Sequence, residues 1–65
     1  MSDAAFFTLR DRAYELADTG RFKRWVEIAR VLKSEGFLGA LIERLDYDKL
    51  AVMMITRCCA QARQA

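Results

Sequence analysis

The chain reads as all-α: a compact bundle of four short helices over residues 3–18, 21–34, 37–45 and 47–64, with residues 1–65 forming a single helical domain. Three observations predict this. Proline is absent and the three glycines are isolated, so each run between them is uninterrupted. Within the runs, apolar residues recur at helical rather than alternating spacing. Asp, Ser or Thr stands near the start of most runs, offering a side-chain oxygen to first-turn N–H groups.

In the first run Ser2 is placed to cap the helix and Gly20 follows its end. Phe6, Leu9, Ala13, Leu16 and Ala17 make one stripe, which Phe7 and Tyr14 widen on one side while Asp11, Glu15 and Asp18 lie opposite. The second helix is expected from Arg21 to Ser34, with Gly36 as its left-handed C-terminal glycine. Its apolar residues, Phe22, Trp25, Val26, Ile28, Ala29, Val31 and Leu32, cover about 220° of the wheel, so it requires cover on more than one side. Lys23, Glu27, Arg30 and Ser34 form the narrow polar strip that remains.

The third helix, Phe37 to Leu45, gathers Phe37, Leu38, Leu41, Ile42 and Leu45 on one face and leaves Glu43 and Arg44 outside. Asp46 is expected to cap the fourth helix, with Asp48 in its first turn and Arg57 and Arg63 toward its end, as the helix dipole prefers. Its inward stripe is expected to be Tyr47, Leu50, Ala51, Met54, Ile55, Cys58 and Ala62, extended by Val52 and Cys59. Lys49, Met53, Thr56, Arg57, Gln61, Arg63 and Gln64 then face water.

A 65-residue chain buries only about 60% of the surface its unfolded form exposes, so its core is marginal and needs a staple. The only two cysteines, Cys58 and Cys59, are neighbours and give no disulfide framework. Two cysteines without any histidine are too few ligands for structural zinc, so no metal and no cofactor is expected. Helix packing and oligomerisation remain, and a hydrophobic content of 54% in so short a chain points to a homodimer. The start, "MSDAAFFTLRDR", has no basic region ahead of an apolar run, and no stretch approaches the roughly 20 residues that cross a bilayer. A cytoplasmic protein with reduced thiols, not bound to a membrane, is the expectation.

Formal charge is −2 over residues 1–18, +4 over 19–33, −3 over 34–48 and +3 over 49–65, together the +2 of the whole chain. Signs therefore alternate helix by helix. In an up-and-down bundle each neighbouring pair would be complementary, and much of the second helix's charge would be satisfied internally.

The stretch "TGRFKRWVEIARVLKSEG" holds five of the eleven basic side chains and the only tryptophan. A nucleic-acid surface needs basic residues converging on one face beside aromatics or backbone donors. On the wheel Lys23 and Arg30 share a face, Lys33 lies about 60° away, Arg21 and Arg24 fall on the far side, and Glu27 sits in ion-pair register between Lys23 and Arg30. Trp25 occupies the middle of the apolar arc, where burial is expected. A helix-turn-helix-like segment over residues 21–45 is the alternative reading, with Arg21, Lys23, Arg24, Arg30 and Lys33 as candidate nucleic-acid contacts. Its reading face would offer only Gly39, Ala40, Glu43 and Arg44.

Catalysis finds little support. Without histidine, acyl transfer through a Ser/His or Cys/His pair is excluded, and Asp46 and Asp48 read as helix caps rather than paired acids. The glycines form no phosphate-binding loop. Cys58 is expected in the core stripe, leaving Cys59 as the more reactive thiol. The function expected is therefore a non-catalytic interaction or regulatory module that contacts protein and self-associates, with nucleic acid not favoured as a partner. Phe7, Tyr14, Val31, Val52 and Met53, on stripe edges or among polar neighbours, are the candidate interface residues.

The segments "LADTGRFKRWVEIARVLKSEG" and "RCCAQAR" also carry a pattern: Leu16, Ala17, Gly20, Arg21, Phe22, Trp25, Ile28, Leu32, Glu35, Gly36, Cys59, Ala62 and Arg63. It resembles that of a group of short bacterial all-helical proteins. The resemblance covers most of the chain from Leu16 onward and implies one helical domain; it assigns no activity and no site residues.

Overall fold

The computed structural model describes residues 3–64. Four helices follow one another: α1 Ala4–Asp18, α2 Trp25–Ser34, α3 Gly39–Asp46 and α4 Lys49–Gln64, and no strand occurs among the described residues. The all-α expectation holds, with several boundaries shifted for identifiable reasons.

Helix α1 starts at Ala4, where Asp3 O accepts the Phe7 N–H at 3.0 Å; the Ser2 cap lies outside the described residues. It ends as Thr19 Oγ1 donates to Leu16 O at 2.6 Å and Gly20 turns to a φ of 73°. Helix α2 does not begin at Arg21. Arg24 is extended, with φ −139° and ψ 155°, and the Glu27 carboxylate accepts the Lys23 N–H at 2.7 Å, holding the preceding residues outside the helix. The C-terminal stop of α2 is as expected. Gly36, at φ 97°, donates to Lys33 O, and the next N–H, that of Phe37, reaches back to Leu32 O at 3.2 Å, a pairing that only a left-handed residue permits.

Helix α3 begins at Gly39, two residues late, because Leu38 is still extended. Asp46 is the last residue of α3 and does not cap α4. That role falls to Asp48, whose Oδ1 accepts the Ala51 N–H at 3.2 Å and whose backbone oxygen accepts that of Val52. The oxygen that serves as a cap is the one next to the helix start, and α4 starts at Lys49 rather than Tyr47.

Every helix contributes to one core, whose fully buried large side chains are Leu9, Ile28, Leu32, Leu45, Ile55 and Cys59. The expected α1 stripe, Phe6, Leu9, Ala13, Leu16 and Ala17, is buried entirely. In α2 the buried residues are Trp25, Ile28 and Leu32, while Val26 is exposed. The α4 expectation is corrected. The buried face is Ala51, Ile55 and Cys59, with Val52 half-buried, whereas Tyr47, Leu50 and Met54 are exposed.

Helix α1 packs most extensively against α4, not against α2. Arg44, near the end of α3, pairs with Asp3 at the start of α1 at 3.0 Å, and Gly20, just past the end of α1, lies against Ala62 near the end of α4. Helix α4 therefore runs alongside α1 in the same direction, and the up-and-down expectation does not hold. The two helices approach closely where Gly20 meets Ala62. Leu50, Met53 and Met54 of α4 are exposed, while Ile55 is fully buried. The domain measures 39 × 23 × 16 Å.

The expected pairing of the second helix's cations with acidic neighbours is not found among the described residues. The interhelical ion pairs found join Arg12 to Glu35 at 2.8 Å and Arg44 to Asp3. Among the described residues Arg21, Lys23, Arg24, Arg30 and Lys33 form no ion pair. Among the described residues no helix is long and apolar enough to cross a membrane.

Candidate interaction surface

Seven large hydrophobic side chains are exposed among the described residues, and four of them fall within one short stretch, Tyr47 just after α3 and Leu50, Met53 and Met54 in the first turns of α4. Leu50 is 65% exposed, Met53 51% and Met54 42%. Three and four residues apart, Leu50 reaches Met53 and Met54 on one side of the helix, and Arg57 continues that side one turn later. No acidic residue occurs in α4; its charges are Lys49, Arg57 and Arg63. The result is an apolar ridge flanked by cations.

Of the five candidate interface residues, Met53 and Phe7 are exposed, Phe7 at 47%. Tyr14, Val31 and Val52 are half-buried and packed against the core. The Phe7 ring meets the Phe6 ring edge-on with centroids 6.1 Å apart, and the Arg10 guanidinium lies 5.0 Å from its centre. Leu50, Met54 and Tyr47 belong to the surface but were expected inside. Their signal in the sequence is Ala51, Ile55 and Cys59, a second stripe of smaller side chains that suits close helix packing.

The basic candidates divide into two groups. Arg21, Lys23 and Arg24 lie on the extended link between α1 and α2, where the Lys23 N–H is bound by Glu27. That bond is the main cause holding the Glu27 carboxyl below its ordinary value, helped by the neighbouring Arg24 N–H and the cations of Arg24 and Lys23. Arg30 and Lys33 instead border a groove of 420 Å³ between α2 and α3, floored by Val26, Ala29 and Ile42 and faced by Glu43. It continues toward Trp25 and Asp46 as a second hollow of 240 Å³.

Trp25 is buried and its indole N–H donates to Asp46 at 2.7 Å, so its ring is not available to stack on a base. On α3, the only cation of the proposed reading face, Arg44, lies 4.2 Å from the centre of the Phe6 ring and is paired with Asp3. Trp25 and Arg44 are thus engaged within the domain, whereas Arg21, Lys23, Arg24, Arg30 and Lys33 form no ion pair among the described residues.

The thiols reverse the sequence expectation. Cys59 is buried and Cys58 half-buried. Burial pushes the Cys59 thiol up, and the nearby Cys58 and Glu27 add to the effect. Among the described residues no cluster of His, Cys, Asp and Glu could hold a metal ion.

Comparison with protein-family models, curated proteins and solved structures yields no match for this chain.

Proposed function

We propose that this domain is a non-catalytic protein-interaction module of the cytoplasm that self-associates through the outer surface of α4. The observation that carries the reading is the clustering of Tyr47, Leu50, Met53 and Met54, four of the seven large hydrophobics exposed among the described residues, on one short stretch. Single exposed apolar side chains are ordinary on any protein, but contiguous ones mark contact surfaces. Methionines suit such a surface because their unbranched, polarisable side chains repack against a partner. A small domain with a thin core also gains stability by burying this ridge. The pair of free cysteines accords with a reducing compartment.

Light scattering across a wide range of protein concentrations tests the proposal. A mass rising to a defined oligomer supports it; a strict monomer at every concentration overturns it. Titration with duplex DNA and with RNA at two salt concentrations discriminates the competing class. Binding that weakens steeply with salt would replace the proposal with a nucleic-acid function, and no binding at low salt supports it.

A further inference from the structure

The groove between α2 and α3 takes its length and its charge from the hairpin that builds it. A short link joins the two helices, and the bond from Trp25, the first residue of α2, to Asp46, the last of α3, sets them antiparallel. Lys33 and Gly39 therefore stand at the linked end and Trp25 with Asp46 at the open end, about 12 Å away at the helical rise of about 1.5 Å per residue. Val26, Ala29 and Ile42 floor the whole length, since they line the larger hollow and the smaller one alike. No lining residue of either hollow belongs to α1 or α4, so the groove is separate from the α4 ridge.

Charge changes sign along this groove. Arg30 and Lys33, one turn apart on α2, are exposed toward the linked end and form no ion pair among the described residues. Glu43 and Asp46 on α3 lie toward the open end, where Asp46 already holds the indole N–H. An anionic head group is drawn to the linked end and repelled from the other, while an apolar tail finds Val26, Ala29 and Ile42 to cover.

We propose that this groove binds an unbranched medium-chain carboxylate, its head between Arg30 and Lys33 and its tail laid along Val26, Ala29 and Ile42 to the edge of Trp25. An extended alkyl chain advances about 1.3 Å per carbon, so a floor of about 12 Å takes about nine or ten carbons. The larger hollow, 420 Å³, lies within the range of small-molecule sites. The α4 ridge of a second copy is the wrong occupant. Its cations Lys49 and Arg57 stand at both ends of Leu50, Met53 and Met54, so one of the two would fall beside Arg30 and Lys33.

The test is a titration of decanoate, below the concentration at which it forms micelles, into the full chain, followed by Trp25 fluorescence and by calorimetry. Trp25 is the only tryptophan and walls the open end, so its emission reads the arrival of the tail. One decanoate per chain is expected, bound about tenfold more tightly than decyltrimethylammonium, whose head is cationic. Affinity should rise about two- to fourfold per methylene from hexanoate to decanoate and level off beyond it. Arg30→Glu with Lys33→Glu should abolish the preference for the anionic head while decanol still binds, and Val26→Gln should weaken decanoate and decanol alike, by about threefold or more. All three positions are exposed, and unchanged circular dichroism establishes that each variant is folded. No saturable decanoate binding, equal affinity for the two charged heads, or binding untouched by these variants overturns the proposal. So does a groove that takes an acidic helical peptide and no decanoate. Self-association through α4 is read separately, by mass, and stands or falls on its own.

Discussion

The Trp25–Asp46 contact allows a quantitative test of how α2 and α3 are held together. The indole Nε1 donates to Asp46 Oδ1 at 2.7 Å, joining the first residue of α2 to the last residue of α3, and the ring is buried in the core. A hydrogen bond to a charged acceptor contributes about 1.5–3 kcal/mol, and losing it from a buried donor adds the cost of an unpaired N–H. Asp46 is itself exposed, so water can replace part of what is lost. A loss of about 1–2 kcal/mol is expected for Asp46→Ala, and less for Asp46→Asn, which retains an acceptor oxygen. With a urea slope of about 1 kcal/mol per M for so small a domain, the unfolding midpoint should fall by about 1–2 M in Asp46→Ala. The assay is urea unfolding at one fixed protein concentration, followed by Trp25 fluorescence and by circular dichroism. An Asp46→Ala midpoint within about 0.3 M of wild type would refute the reasoning, because the indole N–H would then be satisfied equally well without the carboxylate.

Gly20→Ala should cost about 1–3 kcal/mol, because a Cβ would sit 3.2 Å from Ala62 O on a residue at φ 73°; at Gly39, where nothing lies within 4 Å, the same change should be neutral or stabilising, and thermal melts decide both. Acidification should loosen the start of α2. Glu27 titrates below its ordinary 4.5 in the folded chain, so its contribution is present above that pH and is lost as pH falls through the lower folded value; Glu27→Gln should flatten this part of the acid-unfolding curve. Alkylation followed by mass spectrometry should label Cys58 before Cys59, since the buried thiol is both shielded and held protonated; simultaneous labelling in the folded protein would contradict the burial.

Much of the fold was legible where apolar spacing and large side chains agreed. All five residues of the α1 stripe are buried, and Gly20 and Gly36 end their helices as their positions indicate. The start of α2 was not legible because Phe22 continues the apolar period backward while Arg24 is no ordinary cap; the decisive group is Glu27, whose carboxylate takes an N–H four residues earlier. In α4 the periodicity was correct but its phase was not. Leu50 and Met54 were assigned inward, whereas the buried residues are Ala51, Ile55 and Cys59. The same misassignment concealed Leu50 and Met54 from the surface, although Met53 and Phe7 were found.

The pairing of α1 with α4 also governs when the domain can fold. Its most extensive helix contact joins the two ends of the sequence, so forming it means closing a loop through α2 and α3, an entropic cost that more local contacts avoid. Until α4 has been synthesised, α1 lacks the helix against which it packs most extensively. A shortened chain lacking α4 should therefore expose the apolar stripe of α1 to chaperones and proteases.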